Sequence, residues 1–162
     1  SSTIMKGYYK DEEKTREVLQ DGWFKSGDLG YLDERGRLWF CGRKSHRIET
    51  QEGLVLPVPC EAILNQHPLV TRTALVGVGP RGHQRPVLIV EAPSECAALR
   101  SKPTRERVAR ELLEMAAQHA QTRQIREVLF HPAFPVDVRH NSKIDRLKLA
   151  AWAATQVTVE ER

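Results

Sequence analysis

Thr73-Ala74-Leu75-Val76-Gly77-Val78 and Pro86-Val87-Leu88-Ile89-Val90-Glu91 bracket Gly79-Pro80-Arg81-Gly82-His83. Two short, nearly continuous apolar runs around a Gly/Pro connector predict two strands, at least one of them buried. Outward from them the signals alternate. Thr104 suits an N-cap, opening a helix from Arg105 to about Gln121 that carries Val108, Leu112, Met115, Ala116 and His119 on or near one stripe. Glu127-Val128-Leu129-Phe130 predicts a further strand, and a last helix should start near Ile144 with Leu147, Leu149, Ala150 and Trp152. Upstream, His46 to Thr50 predicts an extended segment, and Cys60 to Leu64 a short helix ending before His67-Pro68.

These elements define an α+β unit of two layers, a mainly antiparallel three-stranded sheet packed by helices. The opening residues do not fit it. Asp11 to Leu19 could form one short helix stopped by Gly22. Gly30-Tyr31-Leu32, Asp33-Glu34-Arg35-Gly36 and Arg37-Leu38-Trp39-Phe40 form a β-hairpin signature. The expected organisation is therefore residues 1–44, the terminal segment of a larger domain, and residues 45–162, a small domain.

Composition bounds the function. Among 162 residues, 25 Lys and Arg against 21 Asp and Glu leave a net charge of +4, which does not demand nucleic acid. No apolar run approaches the roughly 20 residues of a membrane span, and Ser1 to Lys6 lack a signal-peptide core, so the chain reads as cytoplasmic. Cys41, Cys60 and Cys96 are far apart and odd in number, which excludes a disulfide framework and reads as small hydrophobes. No metal site is expected among these residues.

Three clusters carry chemistry. In Lys25-Ser26-Gly27-Asp28 the carboxylate could accept hydrogen bonds from a vicinal diol, or simply close the turn before the hairpin. In Gly42-Arg43-Lys44-Ser45-His46-Arg47, Arg43 could fork onto phosphate or ribose oxygens, or belong to a solvated connector. In Asp137-Val138-Arg139-His140-Asn141-Ser142-Lys143-Ile144-Asp145-Arg146, Lys143 could deliver a mobile positive charge from a polar loop entering the helix. Asn141 or Ser142 would then be the N-cap, and Arg139, His140, Lys143, Arg146 and Lys148 could alternatively form an RNA-binding patch. No interleaved aromatics support base stacking there.

In this order and spacing the clusters resemble the C-terminal end of the adenylate-forming superfamily of acyl-CoA synthetases, adenylation domains and luciferases. Gly7-Tyr8-Tyr9, Asp21-Gly22-Trp23-Phe24-Lys25-Ser26-Gly27-Asp28, Asp33-x-x-Gly36, Gly42-Arg43 and Lys143-Ile144-x-Arg146 carry the resemblance. The runs Arg43 to Thr50 and Arg139 to Ile144 are most similar to its branch that forms β-lactones in bacterial long-chain olefin biosynthesis. The resemblance implies that Asp28 and Arg43 bind the ATP ribose, Ser45 is the hinge, and Lys143 is the catalytic lysine of adenylation. It implies ATP and Mg2+ as cofactors, the metal held mainly by a large domain outside this chain. It implies a long-chain 2-alkyl-3-hydroxy acid as substrate, and the N-terminal domain and other olefin-pathway enzymes as partners, with no nucleic acid and no membrane span. A fatty acyl-CoA ligase is one alternative, and a basic binding module for RNA or an acidic partner is another, of a different class.

The chain departs from the family pattern in the late loop, where Asn141-Ser142 precedes Lys143 without a Gly, and after the hinge, where Glu49 replaces the usual Lys and Glu52 falls at the usual Gly. That altered loop weakens a thioester-forming assignment. No Ser/Thr/Gly-rich phosphate loop ending in Lys is found, so a fragment of an enzyme roughly three to four times longer is expected, inactive alone.

Overall fold

The computed structural model describes residues 5–137 and 140–157. The chain divides into two compact units, Ser1–Ser45 and His46–Arg162.

The first unit holds helix α1 (Glu12–Val18), a two-residue pair β1 (Leu19–Gln20) and β2 (Trp23–Phe24), and the hairpin β3 (Asp28–Leu32) with β4 (Leu38–Arg43). Asp11 caps α1, its Oδ1 accepting from Lys14 N at 3.0 Å. Asp33 organises the hairpin loop. Its Oδ1 accepts from Arg35 N and Arg37 N at 3.0 and 2.9 Å, and its Oδ2 from Trp39 Nε1 and Arg37 Nε at 2.9 and 2.7 Å. The indole bond foremost, with the Arg37 amide, holds the Asp33 carboxyl below its ordinary value. The register shifts between Leu29 and Gly30, and a Cβ at Gly30 would lie 2.8 Å from Trp39 O. Only glycine fits that close approach.

The second unit begins with the small hairpin β5 (Ile48–Thr50) and β6 (Gly53–Val55), then α2 (Pro57–Leu64). The strands β7 (Thr73–Val78) and β8 (Arg85–Glu91) follow, then α3 (Lys102–Ala117) and β9 (Glu127–His131). The pair β10 (Val136–Asp137) and β11 (His140–Ile144) leads into α4 (Arg146–Gln156). The sheet order is β7-β8-β9, with β7 antiparallel and β9 parallel to the central β8. The parallel step follows from the α3 crossover between β8 and β9.

Side-chain alternation along the sheet divides the core in two. Leu75, Leu88 and Val90 join Ile48, Cys60 and Leu64, with Val108 and Leu112 of α3. Ala74, Val76, Val87 and Ile89 join Phe134, with Leu149 and Ala153 of α4. The sheet thus carries helices on both faces, where the sequence reading has two layers. The physical reason lies in the strands themselves: β8 is buried from Pro86 to Val90, and a strand apolar on both faces needs cover on both. Each fully buried Leu or Ile contributes about 1.5–3 kcal/mol.

Two helix starts differ from expectation. Ser101, not Thr104, caps α3, its Oγ accepting from Thr104 N at 3.2 Å, because Lys102-Pro103 already occupies the first turn. Asp145, not Asn141 or Ser142, caps α4, its Oδ1 accepting from Lys148 N at 3.2 Å. Residues 140–144 are extended and paired with β10 instead of forming a loop.

Candidate functional site

In the first unit the hairpin brings Asp28 and Arg43 opposite one another, as the terminal register pair of β3 and β4. Arg43 Nε lies 3.2 Å from Asp28 Oδ1, and its Nη1 donates to Ser26 O at 3.1 Å. Asp28 N donates to Ser26 Oγ at 3.2 Å, and Lys44 N to Gly27 O at 2.8 Å. Gly27 has a φ of 74°, which closes this turn. Asp28 is therefore the first residue of a strand, not a member of the turn before it. Both side chains are substantially exposed, so the pair stabilises the fold by about 1 kcal/mol at most. It presents a carboxylate and a planar guanidinium side by side, a donor and acceptor set that suits vicinal hydroxyls.

Ser45 is exposed, in the middle of the short 3-10 turn Lys44–His46 at the boundary of the two units.

In the second unit Lys143 sits in β11, exposed, beside a groove of about 370 Å³ lined also by His46, Asp137, Ile144, Asp145 and Lys148. Among the described residues its ammonium has no ion-pair partner. Asp145 is committed to α4: besides accepting from Lys148 N it pairs with Lys148 Nζ at 3.2 Å, and the amide bond first keeps its carboxyl below the ordinary value.

The basic cluster around Lys143 is not one patch. Arg146 turns inward. Its Nη1 and Nη2 donate to Glu61 Oε1 and Oε2 at 2.5 and 2.7 Å, with both side chains nearly buried. Lys148 is engaged by Asp145. Arg139 and the side chains of His140, Asn141 and Ser142 lie outside the described residues. The sequence suggested Arg146 only as a member of a surface basic patch and gave no partner for Glu61. The available signal was a carboxylate inside an apolar helix, which requires a partner.

The turn between β5 and β6 is held by hydrogen bonds on both sides. Thr50 Oγ1 donates to Gly53 O and meets Gln124 Oε1, at 2.8 and 2.7 Å, and Glu49 N donates to Gln84 Oε1 at 2.9 Å. Gly53, with φ of 122°, takes the conformation that glycine is needed for, so the turn places its glycine there and not at Glu52. A groove of about 610 Å³ beside it, lined by Gln51, His83, Arg85 and Arg126 among others, was not anticipated from sequence. Cys60 is inert: burial foremost, then Glu61, pushes its thiol up to about 12, and its Sγ donates to Gln121 O. Among the described residues no three His, Cys, Asp or Glu side chains gather as a metal set. No described helix is long and apolar enough to cross a membrane.

No family model matches the chain. Among solved structures it is similar to the anthranilate CoA ligase AuaEII in complex with anthranoyl-AMP, with a TM-score of 0.79 and 25% identity over 96% of this chain and 29% of that one. It is also similar to the amide bond synthetase McbA from Marinactinospora thermotolerans, with a TM-score of 0.74 and 28% identity over 94% of this chain and 29% of that one. In sequence and fold the chain belongs with the adenylate-forming family and matches a portion of its members. The olefin beta-lactone synthetase of Xanthomonas campestris pv. campestris is 49% identical to it over 88% of its length. That of Stenotrophomonas maltophilia is 45% identical over 89%. A 2-succinylbenzoate–CoA ligase of Bacillus licheniformis is 41% identical over 47%. The chain spans about a quarter of the length of the olefin beta-lactone synthetases, 26% in each case.

Proposed function

We propose that the chain belongs to an AMP-forming enzyme that adenylates a long-chain 2-alkyl-3-hydroxy acid with ATP and closes it to a β-lactone. The 49% identity over 88% of the chain to an olefin beta-lactone synthetase carries this reading. The paired Asp28 and Arg43 agree with it. Asp28 accepts from the ribose hydroxyls, and Arg43 holds Asp28 in place while donating to the same sugar. Ser45, at the chain boundary of the two units, is the hinge about which residues 45–162 turn as a small domain following residues 1–44 of the larger one. Lys143 brings its ammonium to the α-phosphate and the substrate carboxylate.

The chemistry has a plain physical logic. A carboxylate oxygen is a poor leaving group, and ATP supplies AMP as a good one. Negative charge gathers on the phosphate and incoming carboxylate, which an ammonium stabilises. The 3-hydroxyl oxygen then bonds the carboxyl carbon, the bond to AMP breaks with its electron pair, and the hydroxyl proton is released. The nucleophile is already tethered, so no second substrate is captured. The described residues offer no metal set, so no step is assigned to Mg2+.

The test is product analysis with the full-length enzyme, Mg-ATP and the hydroxy acid, with and without coenzyme A. β-Lactone and pyrophosphate without coenzyme A are expected. An acyl-CoA product formed only with the thiol would instead make the parent a fatty acyl-CoA ligase.

A further inference from the structure

Besides its pairing with β10 and the packing of Ile144, the Lys143 strand is tied to the body of the second unit just after its end, by Arg146. Arg146, three residues on, forks onto Glu61 of α2 with both nitrogens. The same two side chains also occupy the free edge of β7. Leu75 N donates to Glu61 Oε1 at 2.6 Å, and Leu75 O accepts from Arg146 Nη1 at 3.1 Å. The carboxylate and guanidinium thus bond Leu75 as a neighbouring strand would, and tie α2, β7 and the start of α4 together. From that anchor the chain runs back through Asp145, whose N donates to Pro135 O at 2.8 Å, into β11. Lys143 lies two residues before Asp145, and its own ammonium has no partner among the described residues. Its position is therefore set by its backbone, which Arg146 holds together with the β10 pairing and Ile144.

We propose that Glu61 and Arg146 are positioning residues for Lys143: their edge-capping pair holds β11 so that the Lys143 ammonium meets the reacting phosphate and carboxylate. The inference rests on the reading of Lys143 as the adenylating lysine. Fork geometry is essential to it. A lysine at 146 would keep the charge but could not bond both Glu61 oxygens and Leu75 O in one plane. A displacement of about 1 Å in a positioned group can cost about 10²-fold in rate.

The experiment is a double-variant cycle in the full-length enzyme, with Glu61→Gln and Arg146→Lys each combined with Lys143→Ala. Two half-reactions are followed: pyrophosphate release with Mg-ATP and hydroxy acid, and β-lactone formation from supplied acyl-adenylate. Melting temperatures identify any variant that fails to fold, and the two conservative changes serve as independent tests. Each single variant should release pyrophosphate at least about tenfold more slowly at saturating ATP, with KM for ATP unchanged. Closure of the supplied acyl-adenylate should be unaffected, and each double variant should be no slower than Lys143→Ala. Losses that multiply with that of Lys143→Ala, or that fall equally on both half-reactions, would show a merely structural pair and overturn the inference. If Lys143→Ala alone releases pyrophosphate at the wild-type rate, the functional reading falls and the inference with it, and that single variant tells the two failures apart.

Discussion

Lys143 is exposed and unpaired among the described residues, while its sequence neighbours Asp145 and Arg146 are both fully engaged. A side chain that does nothing for the fold can be removed cheaply. Lys143→Ala should change stability by no more than about 0.5 kcal/mol, as for most surface substitutions. In the full-length enzyme it should slow acyl-adenylate formation by about 10²–10³, the cost of losing one electrostatic donor. Melting temperature and pyrophosphate release from one preparation check both. A large loss of stability, or an unchanged rate, would remove Lys143 from catalysis. Arg146 makes the opposite case. It pairs with a residue 85 positions away, nearly buried, and losing either partner of such a pair costs about 3–5 kcal/mol. The sequence announces that Glu61 needs a partner but cannot name it, because several cations downstream meet the same chemical requirement.

At the scale of elements, β7 and β8 were legible because continuous apolar runs leave no competing period. The start of α3 was not. Ser101 and Thr104 are both good capping residues, three apart, and either could open the helix. Their roles are now distinct: Ser101 Oγ accepts from Thr104 N, and the Thr104 hydroxyl only meets Ser101 Oγ. Ser101→Ala should therefore cost about 1 kcal/mol, and Thr104→Ala clearly less, in chemical denaturation. Equal losses would contradict the assignment. Strand β11 was illegible for another reason. Its polar run has no alternation, and its extended form depends on partners in β10 and on Pro135 O. Glu91, at the end of β8, gives a pH test of the neighbouring turn. Burial raises its pKa, but the Arg72 side chain and Phe134 N outweigh that, so it stands below its ordinary 4.5. A carboxyl depressed in the folded state stabilises fully above the unfolded pKa and loses that contribution as pH falls through the folded one. Glu91→Gln should thus lower the melting temperature near neutrality and narrow the gap to wild type below about pH 4. A gap constant with pH would show the charge to be unimportant.

For the whole molecule, the two units differ in what holds them. Both buried clusters lie entirely after residue 46, from Ile48 to Ala116 and Ile125 in one and from Ala74 to Val157 in the other. The first unit buries none of α1, and leaves Trp23, Tyr31, Leu38, Trp39 and Phe40 substantially exposed. In the sequence the hairpin signature precedes the alternating strands and helices, and the two units fall on either side of residue 45. The aromatics of the hairpin were not explained in this way, because Tyr31, Trp39 and Phe40 stay substantially exposed and join neither buried cluster. An apolar cluster closed on itself supports independent folding, whereas a lone hairpin is marginal in water. Residues 46–162 expressed alone should therefore unfold in a single cooperative transition and give dispersed amide resonances. Their melting temperature should lie within a few degrees of that of the whole chain. Residues 1–45 alone should show neither a cooperative transition nor amide protection. If instead residues 46–162 melt without cooperativity, the two clusters need the first unit to form, and the boundary at Ser45 cannot be a hinge between separately folded parts.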